Sequence, residues 1–302
     1  ELETLPESLI FIGAGYIGAE LAQMMSRMGV KVTMVARSRL LPGAEPEVSD
    51  ALSEAFRTEG ITLLTGLQYD SVLASKDGVT LKVIQGGAVK EVTAERIVLT
   101  AGRRANTEDL GLEELEVQTD SRGGIVVGQD MQTSRPGIYA AGDVTDRDQF
   151  VYMAAYGAKI AARNAVAEGD GHYDNSTMPW VVFTDPQVAG VGLSEQQALD
   201  AGHDVKTSVL QLDQVPRAQA ARDTRGLIKL VADRETDKLL GGQIIAPEGS
   251  DTIQTLVMAL KARLTTKELG ETIFPYLTTV EGLKLAAQTF DKDVAMLSCC
   301  AG

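Results

Sequence analysis

The stretch Leu9-Ile-Phe-Ile-Gly-Ala-Gly-Tyr-Ile-Gly-Ala-Glu20 constrains the fold of this chain more than any other. A short apolar run, Leu9 to Ile12, reads as a buried strand. It ends in Gly13-x-Gly15-x-x-Gly18, and the spacing then turns helical, with Ile17, Leu21, Met24 or Met25, and Met28 on one apolar face. Gly13 permits the tight strand-to-helix turn, Gly15 lets backbone approach a pyrophosphate, and Gly18 lets the helix pack on the strand. The helix N-terminus then presents free N–H groups and its positive dipole end to phosphate. Gly29 stops the helix, and a second strand, Lys31 to Val35, follows. This context favours a dinucleotide site over a merely tight turn.

The end of the second strand bears on cofactor preference. A carboxylate there accepts the ribose 2′-hydroxyl in NAD-binding versions of the motif. This chain instead has Ala36, followed by Arg37-Ser38-Arg39. Two guanidiniums without a carboxylate suit a 2′-phosphate, so NADPH is expected over NADH, the alternative being two solvated surface charges.

At 302 residues the chain predicts two or three domains. A net charge of −14 argues against nucleic acid or an anionic membrane as partner. No apolar run approaches the roughly 20 residues of a membrane span, and the opening Glu1-Leu2-Glu3 is unlike a signal segment. The only two cysteines, Cys299 and Cys300, are adjacent. They cannot staple a secreted disulfide framework, so a cytoplasmic location is expected.

Residues 1–104 read as one α/β unit: the strands above, a helix from Ser49 to Thr58, a strand Ile61–Leu64, a β-meander turning at Asp77-Gly78 and Gly86-Gly87, and a closing strand Ile97–Thr100. Residues 105–178 hold a short strand at Gly124–Val127 and another at Gly137–Ala141 that ends in Gly142-Asp143, where a carboxylate beside a glycine suits a sugar-phosphate ligand. An alanine-rich helix, Tyr152–Ala167, follows. Residues 179–302 predict strands at Gln187–Val191, Val205–Leu210, Leu227–Val231 and Leu239–Ile245. Helices at Asp251–Arg263 and Thr279–Phe290 and a capping box of Ser194 with Gln197 complete an α+β domain suited to packing or assembly.

Few residues stand out chemically. His172 and His203 have neither metal spacing nor a nucleophile partner and read as surface residues. Tyr16, Glu20, the segment Phe274–Glu281 and the tail Leu297-Ser-Cys-Cys-Ala-Gly302 are the candidates left. Two adjacent thiols near a chain end can turn to one soft cation, which favours soft-metal or redox exchange over incidental cysteines.

Gly-Ala-Gly-Tyr-Ile-Gly-Ala-Glu, Ala101-Gly-Arg-Arg-Ala-Asn106, Gly137-Ile-Tyr-Ala-Ala-Gly-Asp143 and Phe183-Thr-Asp-Pro-Gln-Val-Ala189 together resemble the flavin-dependent pyridine nucleotide–disulfide oxidoreductases. The segment from Phe274 to Phe290 and the Cys-Cys tail look like the branch of that family that reduces Hg(II). The resemblance implies a Rossmann-like NADPH-binding domain, the second part of an FAD-binding domain, and an interface domain that forms a homodimer. It also implies roles. Gly13, Gly15 and Gly18 would hold the NADPH pyrophosphate, and Tyr16 would cover the nicotinamide side of the flavin, swinging aside as NADPH enters. Glu20 would lie near the flavin ring, paired with a lysine of an N-terminal half. Asp143 would bind the ribityl chain of FAD, with Gly102 and Gly142 among the cofactor contacts. The family's histidine position is Tyr276 here, while its glutamate is kept as Glu281. A phenol is a poor base at pH 7 but a serviceable donor or weak ligand, which suits metal handling. Cys299 and Cys300, with Tyr276, would capture Hg(II) from small thiol complexes and pass it to the partner subunit's active site. The family's first FAD motif and its Cys-x-x-x-x-Cys disulfide are not in this sequence, so the 302 residues are expected to be inactive alone.

Overall fold

A computed structural model describes residues 2–76, 78–166 and 169–293. The expectations for Cys299 and Cys300, and for Asp77 in its turn, fall outside the described residues. The described chain forms two compact units, one drawn from Glu1–Ala101 with Thr177–Gly302, the other from Gly102–Ser176.

The first unit opens on a parallel sheet. Its strands are β1 (Ser8–Ile12), β2 (Lys31–Val35), β3 (Thr62–Leu64) and β7 (Arg96–Leu99), in the order β3-β2-β1-β7. Ile10 pairs with Thr33 on one side and Ile97 on the other. The β1-helix-β2 crossover that a parallel pair requires is made by α1 (Tyr16–Arg27). Helix α2 starts at Pro46, three residues before the predicted start, because proline is tolerated at the first helical position, and runs to Thr58. The predicted meander is present as β4 (Gln68–Ser75), β5 (Gly78–Gln85) and β6 (Ala88–Ala94), all antiparallel.

One expectation for α1 is reversed. Ile17, Leu21, Met24 and Met28 are exposed, while Gly18, Ala19, Ala22 and Gln23 are buried. Small side chains bring the helix axis close to the sheet, and the large apolar residues are left on the far face.

The second part of this unit is a five-stranded antiparallel sheet, β10-β11-β12-β9-β8. The strands are β8 (Pro179–Val182), β9 (Gln187–Gly192), β10 (Val205–Gln211), β11 (Leu227–Asp233) and β12 (Leu239–Ala246). Strand β8 precedes the predicted run. The Ser194–Gln197 capping box opens α4 (Glu195–Asp200), the short α5 (Pro216–Ala221) lies between β10 and β11, and a second box, Thr265 with Glu268, opens α7 (Thr266–Glu271). Helix α6 (Gly249–Lys261) and helix α8 (Glu281–Gln288) cover the sheet, burying Ile253, Leu256, Leu283 and Ala286 with Ile228, Leu230 and Ile244. The two sheets are not independent. Val182, Val188, Leu227 and Ile245 belong to the same buried cluster as Leu9, Phe11, Leu52 and Phe56.

The second unit contains α3 (Val151–Val166) and a 3-10 turn, Asp143–Thr145. The strands predicted at Gly124–Val127 and Gly137–Ala141 are not formed. Isolated bridges stand there instead: Thr119 with Ile125, Val127 with Thr133, and Gln132 with Tyr139. Both segments have the composition of strands, but among the described residues neither has a neighbour over more than a single bridge, and a ladder needs one. No helix among the described residues is long and apolar enough to cross a membrane.

Candidate dinucleotide and flavin sites

The loop from Ile12 to Tyr16 turns tightly between β1 and α1. Gly13 has φ +106°, and a Cβ there would fall 2.5 Å from the Thr100 carbonyl oxygen. A Cβ at Gly18 would sit 2.6 Å from the Gly13 oxygen and 2.7 Å from Thr100 Oγ1. These two glycines are therefore required by packing. Gly15 differs: nothing lies within 4 Å of its would-be Cβ. It is the N-cap of α1, so no side chain caps the first-turn N–H groups. The loop is braced from behind, since Gly13 N donates to Val35 O (3.0 Å), Leu41 N to Ala14 O (2.8 Å), and Thr100 Oγ1 to Ile12 O (3.1 Å). A braced loop with one open glycine at a helix N-terminus fits the pyrophosphate of a dinucleotide.

The two arginines after β2 part company. Arg37 is exposed and lines a cavity of about 490 Å³ with Gly66, Leu67, Gln68, Ile84 and the Gly86-Gly87 turn. Arg39 turns back into its own loop, donating from Nη2 to the carbonyls of Ala44 (2.5 Å) and Pro42 (3.3 Å), with Nε buried. Its guanidinium braces residues 39–45, so the pairing of both arginines on one 2′-phosphate is not the arrangement seen.

Tyr16 is stacked on Trp180, with ring centroids 5.5 Å apart. Burial pushes its hydroxyl up to about 12, so the phenol is neutral at physiological pH. One turn on, the Glu20 carboxylate accepts the Phe183 N–H at 2.8 Å. Gln23 exchanges two hydrogen bonds with the Asp185 backbone (2.7 and 2.8 Å), and Arg27 reaches the Asp185 carboxylate at 2.8 Å and that of Glu59 at 2.6 Å.

A charged cluster absent from the sequence reading ties the two sheets together. Lys229, on β11, is 1% exposed. Its ammonium contacts Glu45 at 3.1 Å, Glu47 at 3.0 Å and Glu195 at 2.7 Å. Glu45 is itself buried, accepts the Glu195 N–H at 2.6 Å, and donates its own N–H to Gln243 Oε1 at 2.7 Å. A lysine in Leu-Ile-Lys-Leu-Val invites this question, but the sequence does not say which acids answer it.

Tyr276 is 58% exposed, whereas Glu281 is 3% exposed at the start of α8. The Glu281 carboxylate accepts the Leu277 N–H at 3.2 Å, holding a residue with φ +64°. Exposed His172 is a surface residue, while partly exposed His203 pairs through Nδ1 with Asp233 at 3.0 Å. Among the described residues no three His, Cys, Asp or Glu side chains are placed to hold a metal ion.

In the second unit, Gly142 has φ +80°, and a Cβ there would meet Ala154 Cβ at 3.0 Å. The next residue, Asp143, is half exposed and lies 3.4 Å from Arg103 Nη1. Gly102 has φ +127° and open space around it. A close backbone approach followed by an accessible, arginine-held carboxylate fits the hydroxyl-bearing chain of a flavin nucleotide.

The family model described as pyridine nucleotide-disulphide oxidoreductase matches residues 1–169, and the model for the dimerisation domain of the same family matches residues 178–287. Curated relatives include mercuric reductases of Staphylococcus aureus, 44% identical over 100% of this chain and 55% of the relative, and of Bacillus cereus, 46% identical over 100% and 48%. The chain thus spans about half the length of these relatives. Among solved structures, LpdA of Mycobacterium tuberculosis superposes with a TM-score of 0.85 at 30% identity, covering 96% of this chain and 63% of that one. The Cu(II) complex of the HOCl-induced flavoprotein disulfide reductase RclA of Escherichia coli gives 0.84 at 28%, covering 93% and 65%. With its glycine loop, its parallel sheet and its antiparallel interface fold all matched, the chain belongs to the pyridine nucleotide-disulphide oxidoreductase family.

Proposed function

We propose that these residues are the dinucleotide-binding and interface parts of an NADPH- and FAD-dependent enzyme that reduces Hg(II) to Hg(0). The observation that carries this reading is the 44% and 46% identity to mercuric reductases over the whole chain. Gly13, Gly15 and Gly18 hold the pyrophosphate, Arg37 meets the 2′-phosphate, and Tyr16 is the ring that gives way to the nicotinamide. Glu20 stands near the flavin, and Gly102, Gly142 and Asp143 hold the FAD sugar-phosphate chain. The chemistry NADPH and FAD supply when bound is hydride donation and two-electron relay.

The protein's own residues handle the metal. A thiolate of Cys299 or Cys300 attacks Hg(II) in a small thiol complex, one Hg–S bond forms as another breaks, and the displaced thiolate leaves to take up a proton. Tyr276 helps as a donor or weak ligand, and Glu281 fixes the turn that presents it. The pair then passes the metal to the partner subunit's buried cysteines in a cytoplasmic homodimer. No cysteine pair other than Cys299-Cys300 lies in the 302 residues, so the flavin-facing disulfide comes from outside them and these residues alone do not turn over. Residues 1–104, 105–178 and 179–302 are the three functional divisions of this scheme.

The test is NADPH oxidation by the full-length protein with thiol-bound Hg(II). Stimulation by Hg(II) that is lost in Cys299→Ala/Cys300→Ala is expected; no stimulation, or none lost, defeats the reading. A disulfide reductase is the runner-up, favoured by the structural likeness to RclA, and there a disulfide rather than Hg(II) drives the oxidation.

A further inference from the structure

The chain has one tryptophan, Trp180, and Tyr16 stacks on it with the ring planes 13° from parallel. The indole has its seat because its cross-strand partner is Gly190: a Cβ there would fall 2.5 Å from Trp180 Cζ2. The frame around the stack is fixed by other contacts. Residues 16, 20, 23 and 27 lie along one stripe of α1, and each is tied to residues 180–185: Tyr16 to Trp180, Glu20 to Phe183 N, and Gln23 and Arg27 to Asp185. The helix that carries the dinucleotide loop is thus zipped to β8 and the turn after it, and the ring pair closes the zip at the phosphate end.

We propose that Trp180 is a positioning residue that holds Tyr16 in its seat and so sets how readily the nicotinamide half of a dinucleotide is admitted beside α1. This rests on the reading of Tyr16 as the ring that gives way to nicotinamide. A ligand carrying nicotinamide must break the stack, and one that ends at the adenosine need not. A stacked aromatic pair contributes enough beyond its buried area to weaken the nicotinamide-bearing ligand by roughly two- to twelvefold.

The experiment titrates NADP+ and 2′,5′-ADP, by calorimetry, into the full chain and its Trp180→Ala and Trp180→Phe variants. Trp180→Ala is expected to tighten NADP+ by about two- to twelvefold and leave 2′,5′-ADP unchanged, with Trp180→Phe between it and wild type. NADP+ affinity that is unchanged or reduced, or that moves in parallel with 2′,5′-ADP, overturns the proposal. If Trp180→Ala does not fold, the indole emission of the wild-type chain decides. NADP+ should change it and 2′,5′-ADP should not; emission indifferent to NADP+ overturns the proposal equally. A wild-type chain that binds 2′,5′-ADP but fails these tests refutes the role of Trp180 alone, whereas one that binds neither ligand refutes the dinucleotide reading beneath it.

Discussion

Replacing Lys229 by methionine removes a buried ammonium that links the two sheets. The ammonium meets three carboxylates, but they are not equivalent. The Glu47 and Glu195 side chains are each 41% exposed, whereas Glu45 is 4% exposed. Without the ammonium, the two exposed acids turn to water, and Glu45 is left as a buried anion with the Glu195 N–H as its remaining donor. The expected loss is therefore that of one broken buried pair, about 3–5 kcal/mol, not three. With a urea slope near 3 kcal/mol per M this lowers the unfolding midpoint by roughly 1–2 M. In Lys229→Met/Glu45→Gln the buried charge is gone and the amide still accepts from Glu195, so most of the loss should return. A single-variant loss below about 1 kcal/mol, the scale of an exposed pair, would refute the reasoning, as would a double variant no more stable than the single. The pH profile gives a second check. Burial pushes the Glu47 carboxyl up, but its own backbone N–H and the Lys229 ammonium outweigh this and hold it below its ordinary 4.5. Burial likewise opposes the charge on Lys229, and Glu195, Glu47 and Glu45 outweigh it, holding the ammonium above its ordinary 10.5. A lowered acid stabilises above its unfolded value and loses that as pH falls; a raised base stabilises below its unfolded value and loses that as pH rises. The cluster's contribution should be flat between about pH 4.5 and 10.5 and decline on both sides, and Lys229→Met should remove both declines.

Two further predictions concern single side chains. Arg37→Ala should weaken NADP+ relative to NAD+ by roughly ten- to a hundredfold, the scale of a lost charge-assisted bond, while Arg39→Ala should lower the melting temperature without changing that ratio; equal effects on both dinucleotides from Arg37→Ala would remove its 2′-phosphate role. The Asp233 carboxyl is held down at about 2 by hydrogen bonds from Thr236 N and Oγ1 and by His203. Its stabilisation should be complete above the ordinary 3.8 and fade as pH falls towards 2, and Thr236→Val should raise its titration midpoint, read by NMR.

What was legible in the sequence followed from local geometry. Gly13 and Gly18 have no room for a side chain, and no other residue meets that demand, so the loop declares itself. The meander and the Ser194 capping box are equally local. The buried face of α1 is not legible from its large apolar residues, because on a parallel sheet Gly18, Ala19 and Ala22 set the helix height. The segment Gly137–Ala141 differs in another way, since its composition is that of a strand but among the described residues it has only the single Gln132–Tyr139 bridge. Lys229 with Glu45 and Glu47, and Tyr16 with Trp180, are beyond reach: each joins positions more than 150 residues apart, and nothing local in either segment names the other.

The shared core of the two sheets has a consequence for how the chain comes to be folded during synthesis. Leu9 and Phe11 leave the ribosome long before Val182, Leu227 and Ile245, which complete the same cluster. At about 5–20 residues per second the early strands wait roughly ten to forty seconds for those partners. Through that interval the inner surface of a nascent parallel sheet stays open to water and to other chains. An element with the pattern of an independent nucleotide-binding fold thus completes its core only with residues between Val182 and Ile245.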